Sequence, residues 1–215
     1  MSKSTQREDH LKALYALGQS PDADSGWVST NRMAAHLGVK PPSVTAMTQV
    51  LSELGWVDHR PYRGARLTEA GQKLALSLVR KHRLWETFLV EHLEFSWDEV
   101  HDIAEQLEHV DSVELVERLD QFLGRPTTDP HGDPIPRADG SFHPKRQALL
   151  LSELNPSQRC TVTGVRDGHD GLFSALTNRN IGLGSVLTPK VIASLTSEWL
   201  SQMWVVPEQE KLENG

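Results

Sequence analysis

The chain has 215 residues, of which 38% are hydrophobic and 24% are charged, proportions that are ordinary for a globular protein. No segment approaches 18 uncharged apolar residues, which argues against a transmembrane helix and a membrane partner. The first ten residues have no apolar core, so we do not expect a secretory signal. The single cysteine, Cys160, excludes a disulfide within the chain and a multi-thiolate zinc site. We therefore expect a cytoplasmic protein.

Charge is unevenly divided along the chain, although the formal net charge is -7. Residues 1–83 contain 12 Lys and Arg against 7 Asp and Glu, and residues 84–215 contain 10 against 22. A basic N-terminal part suits a polyanion such as nucleic acid. The stretch 84–129 has 13 acidic residues and includes His101 and His109, which suits a cation. A solvated helix face is the alternative explanation.

Residues 1–75 are predicted to form a winged helix-turn-helix domain. Apolar stripes predict helices over 11–17, 31–37 and 41–54, and the last two have the spacing of a helix-turn-helix. Each helix is expected to end at a glycine: Gly18, Gly38 and Gly55. Residues 56–67 have β-type side chains on both sides of a Pro/Gly turn, which predicts a hairpin or wing.

The predicted domain has basic and hydroxyl side chains at the start of its second motif helix and in its wing, the parts with which winged helices bind DNA. Short hydroxyls at the start of the second helix of the motif can bond phosphates or touch thymine methyls, and lysines and arginines can contact phosphates. The candidate DNA-binding residues are Lys40, Pro42, Ser43, Thr45, Thr48, Arg60, Arg63 and Arg66. A winged helix that binds another protein is the alternative.

The rest of the chain is predicted to comprise a helical domain over 76–145 and a linker with a β-rich domain over 146–215. A long helix is expected after Thr68, and capping boxes at 96–99 and 111–114 predict two more. Residues 125–145 are rich in Pro, Gly and Asp and are expected to form a loop. Short β-type runs from Cys160 onward predict the small C-terminal domain.

A set of imidazoles and carboxylates is predicted to lie on one face of the helix after Ser96, which we expect to run to about residue 109. The set has the spacing i, i+4, i+7 and i+8 and consists of His101, Glu105, Glu108 and His109. The preceding helix offers His82 and Glu86 at i, i+4. Oxygen and nitrogen donors without thiolate fit Mn²⁺ or Fe²⁺. Exposed salt bridges are the alternative for any single pair.

In combination and order, several segments resemble the diphtheria toxin repressor and manganese transport regulator family of metal-dependent transcriptional regulators. These segments are Pro42-Ser43-Val44-Thr45-Ala46-Met47, Tyr62-Arg63-Gly64, Arg80-Lys81-His82-Arg83-Leu84-Trp85-Glu86, Val100-His101-Asp102, Glu108-His109-Val110 and Pro130-His131-Gly132-Asp133-Pro134-Ile135-Pro136. The resemblance implies a mainly α fold with a winged helix, a helical dimerisation and metal-binding domain and a small SH3-like β domain. It also implies a homodimer that binds a palindromic operator with a divalent metal as corepressor.

The resemblance also implies two ligand sets. The first comprises Asp9, Glu105, Glu108 and His109; the second comprises His82, Glu86 and His101. Asp129, at a position where some members have cysteine, is a candidate for the first set, and Asp167 is a candidate for the second. A set of oxygen and nitrogen donors favours manganese, although Fe²⁺ binds nearly the same donors. A winged-helix sensor of an organic ligand and a di-metal helical-bundle enzyme are the competing hypotheses.

Overall fold

The computed structural model describes residues 3–20, 23–96, 99–143, 148–165 and 172–208. They form two compact units, each built from separate stretches of the chain. The first unit comprises residues up to 82 together with 105–113 and 136–141, and the second comprises 83–104, 114–135 and the residues from 142 on. Among the described residues, no helix combines the length and the apolar character needed to cross a bilayer.

The first unit contains the winged helix-turn-helix. Its elements are α1 (Lys3–Gly18), α2 (Thr30–Leu37), α3 (Pro41–Glu53), β1 (Val57–Arg60), β2 (Gly64–Leu67) and the first half of α4 (Glu69–Leu93). One apolar core joins α1, α2 and α3 to the hairpin through buried residues that include Leu11, Met33, Val44, Leu51 and Val57. The predicted order of helices and wing is therefore present.

Local signals explain where these helices begin and end. The Ser29 hydroxyl caps α2 by accepting the Arg32 N–H at 3.3 Å, and Gly38 ends the helix with a left-handed φ of 64°. Two prolines occupy the first turn of α3, where a missing N–H costs nothing. Gly18 differs from the prediction, because it is the last residue of α1 and does not have the left-handed φ of a terminating glycine.

The wing packs against the segment before α2. Ala65 and Val28 exchange backbone hydrogen bonds, both at 2.9 Å. Gly64 has a φ of 105°, and a Cβ at this position would lie 2.0 Å from the Val28 carbonyl oxygen. Glycine is therefore required where the second strand of the wing crosses this backbone.

The remaining helices are α5 (Val100–Leu107) and α6 (Val113–Phe122). The Ser96 backbone N–H donates to the Glu99 carboxylate at 3.1 Å, which is one half of the predicted capping box, and α5 begins just after Glu99. The helix ends at Leu107, however, so Glu108 and His109 lie in the turn that follows it. The expected stripe on one helical face is therefore wrong for its last two members.

The C-terminal part of the second unit is a small antiparallel sheet with short helices. Its strands are β3 (Leu149–Leu150), β4 (Cys160–Val165), β5 (Val186–Leu187) and β6 (Met203–Pro207), in the order β3-β6-β4-β5. A 3₁₀ turn (Leu151–Glu153) and the helices α7 (Leu172–Thr177), α8 (Pro189–Ile192) and α9 (Ser197–Leu200) complete it. Cys160 is fully buried in its core.

Candidate metal centre

One carboxylate–imidazole cluster lies in the first unit, where α1 meets the turn after α5. Asp9 projects from α1, and Glu108 and His109 come from the turn; their donor atoms all lie within 4.8 Å of one another. Glu108 is 1% exposed, whereas Asp9 and His109 are partly exposed. We call Asp9, Glu108 and His109 the first cluster. It connects a helix of the winged-helix domain to a segment 100 residues later in the chain.

The imidazole of His109 is held between two carboxylates of α1. Its Nδ1 lies 2.6 Å from Glu8 Oε2, and its Nε2 lies 3.2 Å from Asp9 Oδ1. A carboxylate that accepts the N–H of one ring nitrogen leaves the other nitrogen to bind a cation, which is the usual arrangement around metal-bound histidines. Glu8 is therefore placed to orient His109, a role that the sequence alone did not suggest.

The electrostatic environment of the first cluster favours a cation. Burial raises the pKa of the Asp9 carboxyl above its usual range, and the neighbouring Glu108 and Glu105 carboxylates raise this pKa further, against the opposing effect of His109. A bound cation would relieve both the repulsion and the cost of burying these charges.

A lysine and a second histidine complete the surroundings of Glu108. The Lys12 ammonium donates to Glu108 Oε2 at 2.6 Å, and His82 Nδ1 lies 2.6 Å from the same oxygen. The Glu105 side chain is 53% exposed and lies 3.8 Å from Lys12. Glu105, although predicted as a ligand, is thus at the margin of the first cluster, and His82, predicted for the second ligand set, contacts Glu108.

A second cluster lies wholly within the second unit and consists of Glu86, Asp129 and His131. Each of the three residues is at most 3% exposed, and their donor atoms lie within 4.8 Å of one another. Glu86 also lies 3.5 Å from His101, as the predicted second set requires. Burial raises the pKa of Asp129 to about 7, and the Asp133 and Glu86 carboxylates contribute to the increase.

The loop after α6 presents Asp129 and His131 to α4. Asp129 Oδ1 accepts the backbone N–H groups of His131 and Asp133, both at 2.9 Å. The Val165 N–H donates to the His131 carbonyl at 2.7 Å and anchors the loop to β4. A Cβ at Gly132 would lie 2.2 Å from the Thr163 carbonyl oxygen, so this close contact requires glycine.

The exposed face of α3 and the wing form a hydroxyl-bearing and basic surface on the first unit. Lys40, Pro42, Ser43 and Thr45 are exposed at the start of α3. Thr48 is 5% exposed, because it lies on the inner face of the helix with Val44 and Leu51. Thr48 is therefore not placed to contact DNA, contrary to the expectation from its position in the helix.

The three wing arginines surround one indole. The guanidinium carbons of Arg60, Arg63 and Arg66 lie 4.9–5.1 Å from the centre of the Trp27 ring, within the range of cation–π attraction. Arg63 also pairs with Asp24 at 2.8 Å, and Arg66 pairs with Asp58 at 3.0 Å. The indole gathers the positive charges on one side of the wing.

Two family models cover most of the chain. The model described as the N-terminal DNA binding domain of iron dependent repressors matches residues 3–65. The model described as the iron dependent repressor metal binding and dimerisation domain matches residues 68–137. The chain belongs to the iron-dependent repressor family.

Named relatives and solved structures agree with this assignment. The iron-dependent repressor IdeR of Mycobacterium tuberculosis is 39% identical over 105 residues, which are 49% of this chain and 46% of that protein. The HTH-type transcriptional regulator MntR of Lysinibacillus sphaericus is 34% identical over 112 residues, or 52% of this chain and 77% of that protein. The solved manganese-dependent transcriptional repressor in complex with manganese is 35% identical, with a TM-score of 0.80, over 94% of this chain and 99% of that chain. The chain spans about half the length of several curated relatives, IdeR included.

Within this family fold, some of the expected ligands lie in a different cluster from the one predicted. Asp129, a candidate for the first set, lies with Glu86 and His131 in the second unit. His131 was missed as a ligand because it lies in an aperiodic loop, although its position two residues after Asp129 was an available signal. Asp167 lies outside the described residues.

The donors of both clusters fit a hard or borderline divalent cation. Each cluster combines two carboxylates with one imidazole, and neither contains a thiolate. Such ligand sets suit both Mn²⁺ and Fe²⁺, because these two metals differ little in the ligands they prefer. Because Glu86, Asp129 and His131 are buried, a cation bound by them would be shielded from solvent.

Proposed function

We propose that this protein is a metal-dependent, DNA-binding transcriptional repressor that controls manganese or iron homeostasis, with Mn²⁺ or Fe²⁺ as corepressor. The observation that carries the proposal is the first cluster, because Asp9 belongs to a helix of the winged-helix domain and Glu108 and His109 to the turn after α5. The names of the relatives, which are iron- and manganese-dependent repressors, support the same conclusion.

The residues of the first cluster would bind the ion, and Glu8 would orient His109. When bound, the ion supplies positive charge that neutralises the carboxylates and ties α1 to the turn after α5. Glu86, Asp129 and His131, with His101 beside Glu86, would hold a second ion in the second unit. Because Asp9 is the ligand on the DNA-binding side, it carries the coupling between the metal and the DNA.

The DNA-binding surface is the exposed side of α3 together with the wing. Ser43 and Thr45 at the start of α3 can bond phosphates or touch base edges in the major groove, and Lys40 lies at its N-cap. The wing arginines would contact the backbone. Few side chains at the start of α3 can form paired hydrogen bonds to a base, so the DNA shape contributes to recognition.

A homodimer on a palindromic operator completes the proposal. In the second unit, Leu93 is 52% exposed, Leu115 is 39% exposed and Phe122 is 64% exposed, and the Phe122 ring lies 4.7 Å from that of His92. Exposed apolar surface of this kind marks protein interfaces. Two winged helices related by a two-fold axis would read half-sites about 34 Å apart. We expect the dimer to act in the cytoplasm, in the same compartment as its DNA.

Selection from a randomised DNA duplex library in Mn²⁺ tests this function. The duplexes recovered should contain a palindrome, and their affinity, measured by fluorescence anisotropy, should fall when EDTA removes the metal. Arg63→Ala serves as a DNA-contact control, because it should weaken binding with and without metal. Specific binding that is unaffected by chelation would refute the metal dependence and favour a sensor of an organic ligand.

A di-metal enzyme is disfavoured on two observations. The sequence contains no Glu-x-x-His motif, whereas di-metal helical bundles have a pair of them. The relatives are also named as repressors and regulators.

A further inference from the structure

The Lys12 ammonium lies among polar groups from three segments of the first unit. It lies 2.6 Å from Glu108 Oε2, 3.1 Å from His82 Nδ1 and 3.8 Å from Glu105 Oε1. The Lys12 side chain is 20% exposed and that of Glu108 is 2% exposed. The positive charge of Lys12 is therefore surrounded by carboxylate and imidazole groups of the kind that bind metal ions.

A buried carboxylate needs a nearby positive charge or hydrogen-bond donors to remain ionised. Lys12 supplies both to Glu108 at Oε2. A carboxylate has two oxygens, and the contacts of Lys12 and His82 both involve Oε2, so neither of them uses Oε1 of Glu108. One carboxylate can thus serve a fixed ammonium on one side and a divalent ion on the other.

We propose that Lys12 is an internal cation that takes the place of a second divalent ion between Glu108 and His82. A protonated lysine has three donors and no lone pair, so it cannot coordinate a metal, and its charge repels a divalent ion a few ångströms away. The first cluster therefore binds one ion. Lys12 also fastens α1 to Glu108 and His82 when no ion is bound. The count of ions rests on the proposed function, whereas the fastening does not.

The number of bound ions tests the first half of the proposal. Equilibrium dialysis against Mn²⁺ with elemental analysis would count the ions in the full chain, and electron paramagnetic resonance would detect spin-coupled Mn²⁺ pairs. Lys12→Glu replaces the ammonium with a ligand and should bind one more Mn²⁺ per chain than the wild type, with a spin-coupled spectrum. Lys12→Met removes the charge without adding a ligand and should keep the wild-type count.

Thermal unfolding in EDTA tests the second half without metal. Lys12→Met leaves Glu108 without its cation, so its Tm should fall by about 5–10 °C. Lys73→Met is the matched control, because the Lys73–Glu69 pair spans 2.8 Å on the surface with both side chains mostly exposed. The control should change Tm by only about 1–2 °C.

The proposal is overturned by a spin-coupled Mn²⁺ pair in a chain whose second cluster is disabled by Asp129→Asn, whether or not Lys12→Glu folds. It is also overturned by a folded Lys12→Glu protein with the wild-type count, or by a Lys12→Met Tm equal to that of the wild type in EDTA. A wild-type chain that binds no Mn²⁺ or Fe²⁺ would instead refute the proposed repressor function. The Tm comparison would still decide whether Lys12 fastens α1.

Discussion

Replacement of Asp9 by asparagine should have opposite effects on the metal-free and the metal-bound protein. Burial, with help from Glu108 and Glu105, raises the pKa of Asp9 in the folded state. The folded protein therefore disfavours the ionised carboxylate, and this penalty is present at pH 7.5, far above the usual pKa of an aspartate side chain. In EDTA at this pH, Asp9→Asn should unfold at the same temperature as the wild type or at a higher one.

With Mn²⁺ present the sign reverses, because the variant lacks a ligand. An ion that binds the native state at a free concentration of 100 times its Kd contributes about 2.7 kcal/mol. For a chain of this length, roughly 2–4 °C of Tm accompany each kcal/mol. The rise in Tm on adding Mn²⁺ should thus be smaller in Asp9→Asn by about 5–10 °C. Ions in the second cluster would still contribute in both proteins.

Differential scanning calorimetry in EDTA and in Mn²⁺ measures both effects. Glu53→Gln is a suitable control, because Glu53 is an exposed carboxylate at the end of α3 and no cluster includes it. Operator affinity provides a second measurement: with a typical coupling of 1–3 kcal/mol, Asp9→Asn should lose about 5–150-fold of Mn²⁺-dependent binding. A full Mn²⁺ response in the variant, in Tm and in DNA binding, would refute the role of Asp9.

Three further predictions follow from other contacts. Glu8→Ala should weaken Mn²⁺ binding by about 10–100-fold in calorimetric titrations, because His109 loses its orienting carboxylate; unchanged affinity would exclude this role. Arg63→Ala should weaken DNA binding and reduce the slope of log affinity against log salt by about 1, whereas Asp24→Asn, which breaks the ion pair of Arg63, should strengthen binding. In metal-free urea unfolding, stability should fall as the pH rises from about 4 to about 7, because folding raises the pKa of Asp129 to about 7. Asp129→Asn should remove that part of the pH dependence.

The winged helix could be predicted in detail because its signals are local. A hydroxyl before a helix, a pair of prolines in its first turn and a glycine after it act within a few residues, as Ser29 and Gly38 do at the two ends of α2. The short C-terminal elements were harder to predict: β3 has two residues, and α8 and α9 have four each. Segments of this length depend on the tertiary packing around them rather than on their own periodicity.

The candidate sites depended on information that spacing does not contain. The donors from His101 to His109 have helical spacing, but Leu107 ends the helix, and the backbone then turns Glu108 inward beside Asp9. The second cluster joins Glu86 to a loop more than 40 residues later, which no sequence pattern pairs with it. Residue types therefore predicted the class of ion, whereas the fold decided which residues share it.

The two clusters lie in different structural units, so ions bound in them would stabilise different parts of the protein. The first cluster lies in the same unit as α3 and the wing, so an ion there stabilises the arrangement of α1 on which the DNA-binding surface is built. The second cluster is anchored to β4 through the His131 carbonyl, so an ion there stabilises the unit that contains the C-terminal sheet. In the proposed function, an ion in the second cluster alone would stabilise the second unit but would not supply the link from Asp9 to Glu108 and His109 that we propose for operator binding.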